Sequence, residues 1–347
     1  MDKIYKKNLF GLSIDEIQTI ADENGWPSYR GAQIFRWVYQ GVADIDEMSN
    51  LPLSAREALK KQYQIFHLQI IKKIEEKKTK TTKYLLRTED DLLIEAVLLR
   101  YRHGNSLCVS SQAGCSMACV FCASATGGLK RNLSAAEMLS QVYVVERDTG
   151  QKISNVVMMG SGEPLDNYEN TIGFLNLISD KDTRNLSKRN ITLSTCGIAD
   201  KIVLLADSKT GVNLSVSLHS PFQDQREMMM PVAKNFPLEK LMEACSYYVQ
   251  KTKRRITFEY ALIAGVNDTL GHGQALAQLL RGLNCLVNLI PINQASNPTL
   301  KSSNDEAIAA FAEILTKKHI NTTVRRTLGS SINAACGQLK SGFYKEV

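Results

Sequence analysis

Three cysteines in the stretch GCSMACVFC are the residues of this sequence whose spacing points most directly to chemistry. Cys115, Cys119 and Cys122 lie four and three positions apart, so a single loop can bring three thiolates to one metal centre. A structural zinc site is closed by four ligands, and the candidates for a fourth, Cys108 and His103, precede the loop without a paired Cys-x-x-Cys spacing. An iron–sulfur cubane takes one cysteine for each iron. Three cysteines therefore predict a cluster with one iron open to an external ligand.

Beyond residue 105, β-rich segments alternate with amphipathic helices, and this alternation predicts the elements that position the cysteine loop. We predict strands at 107–109, 155–159, 191–195, 212–218, 256–262, 285–290 and 322–326. Such alternation is typical of βα units that form a parallel sheet or barrel. In these folds the chemistry lies at the carboxyl ends of the strands. The cysteine loop follows the first predicted strand directly, so its position fits an active site.

The capping box Ser134-Ala135-Ala136-Glu137 predicts that a helix begins near Ala135, after the cysteine loop. Before the loop, residues 1–65 show helical spacing that is broken at Gly25-Trp26-Pro27 and at Leu51-Pro52. Residues 66–102 are β-rich, and the polar turn 88–91 predicts a hairpin between 83–87 and 92–99. We therefore divide the chain into a helical module at 1–65, a β connector at 66–102 and a core at 103–347.

Composition and charge are those of an ordinary folded protein with a mild basic excess. The 347 residues are 44% hydrophobic and 22% charged, and 42 Lys and Arg against 35 Asp and Glu give a net charge of +7, which favours a polyanionic partner. Nowhere do about 18 apolar residues follow one another, and we see no export signal. Eight cysteines in such a chain favour metal binding or catalysis over a disulfide framework. We expect a cytoplasmic protein without a membrane partner.

Two groups of basic residues are candidates for contact with nucleic-acid phosphates. We expect some of their members to bind RNA, although such runs are often only solvated surface. They are Lys72, Lys73, Lys77, Lys78, Lys80 and Lys83, and Lys251, Lys253, Arg254 and Arg255.

The cysteine loop, with Phe121 as an aromatic residue before its last cysteine, resembles the cluster loop of radical S-adenosylmethionine (SAM) enzymes. Further segments resemble, in order, the RlmN-type 23S rRNA and tRNA adenine-C2 methyltransferases across residues 5–340. These are LCVSSQAGCSMACVFC, GGLKRNL, MMGSGEPLDN, STCG, SVSLHSP, GVND, NLIPIN and AACGQL, and YRGAQIFRWVYQG resembles that family's helical accessory domain. The resemblance implies an α/β fold, a partial (β/α)6 TIM-like radical SAM barrel with an N-terminal helical accessory domain.

The same resemblance assigns roles to individual residues. It implies that Cys115, Cys119 and Cys122 bind a [4Fe–4S] cluster, and that Cys336 carries a methyl group, Cys108 releases the product and Glu95 accepts a proton. From the local pattern alone, Cys336 would be an inert buried cysteine and Glu95 an outward-facing strand residue. The SAM-binding residues that it implies are Gly162, Glu163, Ser194, Ser217, Leu218, His219 and Asn293. Without such support, we interpret Cys196, Cys245 and Cys285 as core residues.

The implied reaction is a methylation that needs a radical. Adenine C2 lies between two ring nitrogens and is electron-poor, so it cannot attack the methylsulfonium of SAM as an ordinary nucleophile would. The resemblance implies that one SAM methylates Cys336 and a second is cleaved by the cluster to a 5′-deoxyadenosyl radical, which removes a hydrogen from that methyl group. The carbon radical adds to C2, the C2 proton passes to Glu95, and a Cys108–Cys336 disulfide frees the product.

The implied substrates are adenosine 2503 of 23S rRNA and adenosine 37 of tRNAs, with a reductant such as flavodoxin or ferredoxin and a monomeric enzyme. Two alternatives stay open. One is the related enzyme type that methylates C8 of the same rRNA adenosine, although Pro164 and Pro291 resemble the C2 type more closely. The other is a non-catalytic, zinc-containing RNA-binding protein.

Overall fold

A ten-stranded sheet is the central element of the computed structural model, which describes residues 6–102, 104–292 and 299–339. In chain order the strands are β1 (Lys7–Asn8), β2 (Tyr63–Gln64), β3 (Gln69–Glu76), β4 (Thr81–Arg87), β5 (Leu93–Tyr101), β6 (Gly104–Cys108), β7 (Gln112–Gly114), β8 (Leu129–Asn132), β9 (Ile153–Met158), β10 (Ile191–Thr195), β11 (Asn213–Ser217), β12 (Ile256–Leu262), β13 (Cys285–Pro291) and β14 (Asn321–Val324). The helices are α1 (Ile14–Glu23), α2 (Tyr29–Gln40), α3 (Leu53–Gln62), α4 (Ala135–Thr149), α5 (Tyr168–Ser179), α6 (Ala199–Asp207), α7 (Gln223–Met229), α8 (Leu238–Thr252), α9 (Leu270–Leu279) and α10 (Asp305–Lys317).

Parallel strands make up most of this sheet. The order β6-β9-β10-β11-β12-β13-β14 is parallel throughout, with helices between successive strands, as the alternation predicts. The fold is thus the expected partial barrel. Its seven parallel strands match the seven predicted from the alternation and are one more than a (β/α)6 barrel has, because α10 buries Ile308, Phe311 and Leu315 and returns the chain so that β14 pairs with β13.

The predicted hairpin of the β connector is present, and it belongs to the main sheet. Strands β3, β4 and β5 continue the sheet beyond β6 in antiparallel order. The turn between β4 and β5 is closed by Thr88, whose N–H donates to the carbonyl of Leu92. In the next pair, Val97 of β5 lies opposite Cys108 of β6, so Glu95, two residues before Val97, is on the same face as Cys108. The connector therefore places Glu95 and Cys108 on one face of the sheet.

The N-terminal helices are interrupted at the two predicted breaks and pack against α4. Gly11 approaches α4 so closely that a Cβ atom there would lie 2.2 Å from the Cβ of Ala136. Tyr143 of α4 donates a hydrogen bond from its hydroxyl to the carbonyl of Tyr39 at 2.9 Å. The predicted capping box of α4 is present, since Ser134 Oγ accepts from the N–H of Glu137.

No helix within the described ranges is both long enough and apolar enough to cross a membrane.

Candidate active site

The cysteine loop begins where β7 ends and is shaped by a glycine pair. Gly114 has φ of +86°, and a Cβ atom there would lie only 1.9 Å from the carbonyl oxygen of Gly128 on the returning strand. Glycine is required at this approach. The N–H of Cys115 then donates to that same carbonyl at 3.2 Å, and the N–H of Cys122 donates to the carbonyl of Cys119 at 3.1 Å. The local backbone thus fixes the three cysteines in one compact loop.

The three cysteines line one wall of an open cavity at the carboxyl ends of the parallel strands, which we call the cluster cavity. It has about 1070 Å³ of empty space, counting its mouth, which is within reach of the size expected for cofactor sites. Burial raises the pKa of all three thiols, that of Cys115 to about 12, so metal binding must displace their protons.

The thiols of this loop suit an iron–sulfur cluster better than a single ion. Within the described ranges, no three His, Cys, Asp or Glu side chains converge on one ion position. A cubane does not need such convergence, because each thiolate binds a different iron. Three thiols on one wall of a cavity this large therefore fit a [4Fe–4S] cluster and leave room for a second ligand of the open iron.

The opposite wall of the cluster cavity comes from the ends of β9, β10 and β11. Gly162, Glu163, Ser194, Ser217 and His219 all line it. Glu163 is buried, and its carboxylate accepts hydrogen bonds from the N–H groups of Leu165 (3.0 Å) and Cys196 (2.7 Å). Burial raises the pKa of Glu163, while these hydrogen bonds oppose the shift. The carboxylate is thereby held at the cavity wall.

Gly162 is a position where the site needs glycine. Its φ is +103°, and a Cβ atom there would lie 2.5 Å from the Cβ of Gln112. The amide oxygen of Gln112 in turn accepts the N–H of Glu163 at 2.8 Å. Gly162 therefore allows the close approach of β7, whose Gln112 holds Glu163 in place.

His219 presents a neutral hydrogen-bond donor to the cavity. Its Nδ1 accepts the N–H of Ala261 at 2.9 Å, so the ring hydrogen is on Nε2. Burial lowers the pKa of the ring to about 3. The ring meets Phe121 of the cysteine loop edge-on, with 4.7 Å between centroids. This contact ties the two walls of the cavity together.

Of the two further predicted SAM-binding residues, Leu218 and Asn293, the structure describes only Leu218, which is not among the residues that line the cluster cavity. Leu218 has a fully buried side chain, its N–H donates to the carbonyl of Glu259 at 3.0 Å, and its carbonyl accepts from Ser220. Its backbone N–H and carbonyl are thus both hydrogen-bonded to other residues of the protein. Asn293 lies outside the described residues, as does His103.

Cys336 is at the junction of the cluster cavity and a second cavity of about 550 Å³, which we call the Cys108 cavity because Cys108 lines it. The segment around Cys336 is bonded to the cysteine loop. The N–H of Ala123 donates to the carbonyl of Gly337 at 2.7 Å, and Ser124 Oγ donates to the carbonyl of Leu339 at 2.7 Å. The structure therefore brings Cys336 between the cluster-binding loop and Cys108.

A cation that the sequence analysis missed, Arg325, lines both cavities. The negative charge of a Cys336 thiolate is the main cause of the raised pKa of its guanidinium. Burial raises the pKa of Cys108 to about 12, the Cys336 thiolate adds to this shift, and Arg325 opposes it. The only sequence signal for Arg325 was its place at the end of the last predicted strand. Arg325 therefore places a positive charge at the junction that Cys336 lines.

Glu95 is not the exposed strand residue that its local pattern alone would suggest. Its side chain is 0% exposed, and Oε1 lies 3.0 Å from Nζ of Lys83 on β4. Lys83 also donates to the carbonyl of Asn333, in the segment that leads to Cys336. Lys83 is therefore not one of the members of its basic run that could contact phosphates, because this lysine is buried in an ion pair. Glu95 lies behind the Cys336 segment and is absent from the linings of both cavities.

Cys196 is buried in the hydrophobic core, as interpreted from the sequence. It also lines the cluster cavity, which its local sequence did not indicate. Cys245 and Cys285 are buried outside that lining, as expected of core residues.

The other basic residues are mostly on the surface. Lys73 and Lys251 form ion pairs with Asp148 (2.9 Å) and Asp207 (3.2 Å), and Arg254 donates to the side-chain oxygen of Asn213. The remaining exposed members are Lys72, Lys77, Lys78, Lys80, Lys253 and Arg255.

Comparison with known proteins gives matches over almost the whole chain. A model of the radical SAM superfamily matches residues 109–270, and a model of the ribosomal RNA large subunit methyltransferase N-terminal domain matches residues 7–65. A probable dual-specificity RNA methyltransferase RlmN of Clostridium novyi is 45% identical over 340 residues, which are 98% of this chain and 99% of that protein. The protein of the same name from Alkaliphilus oremlandii is 47% identical over 340 residues, 98% of both chains. The crystal structure of a radical SAM methyltransferase from Sphaerobacter thermophilus has a TM-score of 0.91 and 40% identity, covering 96% of this chain and 99% of that one.

Proposed function

Because the chain belongs to the RlmN family of radical SAM RNA methyltransferases, we propose that it methylates C2 of adenosine 2503 in 23S rRNA and of adenosine 37 in tRNAs. As a radical SAM enzyme it uses a [4Fe–4S] cluster and SAM. The observation that carries the proposal is the position of Cys336, which faces both the cluster cavity and the Cys108 cavity. A sulfur at this junction can take up a carbon on one side and exchange with a second sulfur on the other.

The cluster cavity supplies the binding residues. We assign three of the four irons to Cys115, Cys119 and Cys122, one to each cysteine. We assign SAM to Gly162, Glu163, Ser194, Ser217, Leu218, His219 and Asn293. Five of these line the cavity, Leu218 would act through the second lone pair of its backbone carbonyl, and Asn293 is outside the described residues. When bound, the cluster supplies one electron, and two molecules of SAM per turnover supply the methyl group and the radical that removes a hydrogen from it.

Cys336 is the residue that carries the carbon to the base. Arg325 supplies a positive charge beside the sulfur that accepts a methyl group. After the carbon is joined to adenine C2, the adduct must lose its C2 proton and one electron, for which the oxidised cluster would be the acceptor. The Glu95 carboxylate is the proton acceptor in this proposal, and the ammonium of Lys83 lies 3.0 Å from its Oε1.

Cys108 completes the reaction. The Cys108 thiol loses its proton, its sulfur attacks the sulfur of Cys336 and a disulfide forms. The bond between the Cys336 sulfur and the transferred carbon breaks, and the carbon keeps the electron pair and takes up a proton to become the methyl group. Both thiols are free in the structure and line one cavity. The disulfide must then be reduced before another cycle.

The remaining parts of the chain serve substrate binding in this proposal. We assign residues 1–65 as an RNA-binding accessory domain, 66–102 as a β connector and 103–347 as the methyltransferase core. The exposed lysines near β3 and after α8 would contact phosphates, and the target base would be splayed out of the RNA. We further propose a cytoplasmic monomer that takes electrons from a flavodoxin or ferredoxin.

The test is methyl transfer under anaerobic, reducing conditions to fragments of 23S rRNA and to tRNA, followed by mass spectrometry of the nucleosides. We expect 2-methyladenosine from both substrates. Methylation at C8 would assign the chain to the resistance-type relative. A colourless preparation with zinc and without iron or labile sulfide would overturn the enzymatic proposal.

A further inference from the structure

Arg226, on helix α7, is the largest of the fully buried side chains in the described part of the chain. Its Nη2 donates to the backbone carbonyls of Cys196 (2.7 Å) and Ser217 (3.3 Å). Its Nε and Nη1 find no hydrogen-bond partner among the residues described. The acidic side chains on which its charge acts are the thiols of Cys196, Cys119 and Cys245. A buried guanidinium facing thiols instead of a carboxylate destabilises the chain unless a negative charge is added nearby.

The surroundings of Arg226 join it to the cysteine loop. The carbonyl of Met229, in the same helix, accepts the N–H of Val120, which lies between Cys119 and Cys122. Space for the guanidinium depends on Gly197, where a Cβ atom would lie 3.0 Å from Nη2. The fold thus holds a buried positive charge next to the loop that binds the metal.

We propose that Arg226 is the counter-charge of the iron–sulfur cluster and that its charge favours the reduced cluster over the oxidised one. The inference rests on the assignment of Cys115, Cys119 and Cys122 as ligands in the proposed function. Three thiolates make the cluster an anion, and an added electron makes it more negative. A fixed positive charge in a site of low dielectric constant stabilises the more negative state more strongly. Arg226 is therefore a positioning and electrostatic residue that eases electron delivery.

The test compares reconstituted wild type with Arg226→Met and Arg226→Lys. Arg184→Met is a matched control, because Arg184 is half-buried but pairs with Glu146, outside the cluster cavity. Iron and sulfide per chain are measured first, and the midpoint potential is then taken from an anaerobic redox titration followed by electron paramagnetic resonance.

In Arg226→Met we expect the equilibrium constant for one-electron reduction to fall at least tenfold, a shift of about 59 mV to more negative potential. Arg226→Lys keeps the charge and should retain most of the wild-type potential. Arg184→Met should leave it unchanged. A wild-type potential in Arg226→Met would overturn the proposal.

Thermal unfolding separates this role from a structural one. Without the cluster, Arg226→Met should be at least as stable as wild type, because the unsatisfied buried charge is gone. With the cluster, it should gain less stability on loading than wild type. An equal loss of thermal stability in Arg226→Met with and without the cluster would overturn the proposal. If Arg226→Met does not fold, Arg226→Gln takes its place, because glutamine keeps a hydrogen-bond donor without the charge. Its midpoint potential is expected to shift in the same direction as that of Arg226→Met. A wild-type chain that binds no iron would overturn the ligand assignment as well, whereas unchanged potentials would overturn only the role of Arg226.

Discussion

Replacing Lys83 with methionine removes the cation that faces a fully buried carboxylate. The Nζ–Oε1 distance to Glu95 is 3.0 Å, and the Lys83 side chain is only 9% exposed. Methionine keeps an unbranched apolar chain, so the main losses are the charge and the hydrogen bond to the carbonyl of Asn333. Removing one partner of a buried ion pair costs about 3–5 kcal/mol, and here the buried carboxylate loses the ammonium that faces it. We expect the free energy of unfolding of Lys83→Met to fall by that amount.

Lys73→Met is the matched control. Lys73 lies on the neighbouring strand β3 and pairs with Asp148 at 2.9 Å, but its side chain is 55% exposed. Exposed pairs of this kind contribute about 0–1 kcal/mol. Urea denaturation of the cluster-free proteins, followed by circular dichroism, measures both variants under the same conditions. A loss in Lys83→Met no greater than that in Lys73→Met would refute the reasoning from burial.

The double variant Lys83→Met/Glu95→Gln separates the structural role of Glu95 from its proposed catalytic role. Removing both charges should restore at least half of the stability lost in Lys83→Met, because no isolated charge stays buried. RNA methylation should remain absent, since an amide cannot accept the C2 proton. A double variant that regains both stability and turnover would show that Glu95 is not the proton acceptor.

The remaining predictions concern the cysteines and RNA binding. Alanine in place of Cys115, Cys119 or Cys122 should abolish SAM cleavage and methylation, and a triple-alanine variant with a full complement of iron would contradict the ligand assignment. Cys108→Ala should accumulate a covalent protein–RNA species linked through Cys336, seen by mass spectrometry after nuclease digestion, whereas Cys336→Ala should trap no RNA. Normal turnover of Cys108→Ala would exclude product release through a Cys108–Cys336 disulfide. RNA affinity should fall by roughly tenfold or more between 50 and 200 mM salt if several lysines contact phosphates, and salt-independent binding in a filter assay would argue against a basic RNA-binding face.

Features encoded by neighbouring residues could be predicted from the sequence. Strands β10 and β12 have the bounds predicted from their apolar runs, and α4 begins at Ala135 because its capping box is local. The order of the parallel strands follows from the alternation of elements. The position of the cysteine loop after β6 follows in turn, because parallel strands end at one edge.

Features that depend on pairing between distant segments could not be predicted. A glutamate in an apolar run has the same local pattern whether it faces water or a buried ammonium, and only the register of β4 against β5 places Lys83 beside Glu95. The position of Cys196 in the cavity wall follows from the meeting of several strand ends. Arg226 belongs to no motif, and its significance appears only when its neighbours prove to be thiols.

The two cysteines of the proposed exit step are held by very different kinds of backbone. Cys108 ends β6, which is paired on one side with β5 and on the other with β9, so its main chain is fixed in the middle of the sheet. Cys336 lies in an irregular segment whose bonds to Ala123 and Ser124 join it to the cysteine loop. If the sulfurs must approach each other, the segment of Cys336 has to travel, and its motion pulls on the loop that holds the metal. In the proposed exit step, disulfide formation would therefore be coupled through these hydrogen bonds to the position of the cysteine loop, at the step that releases the modified RNA.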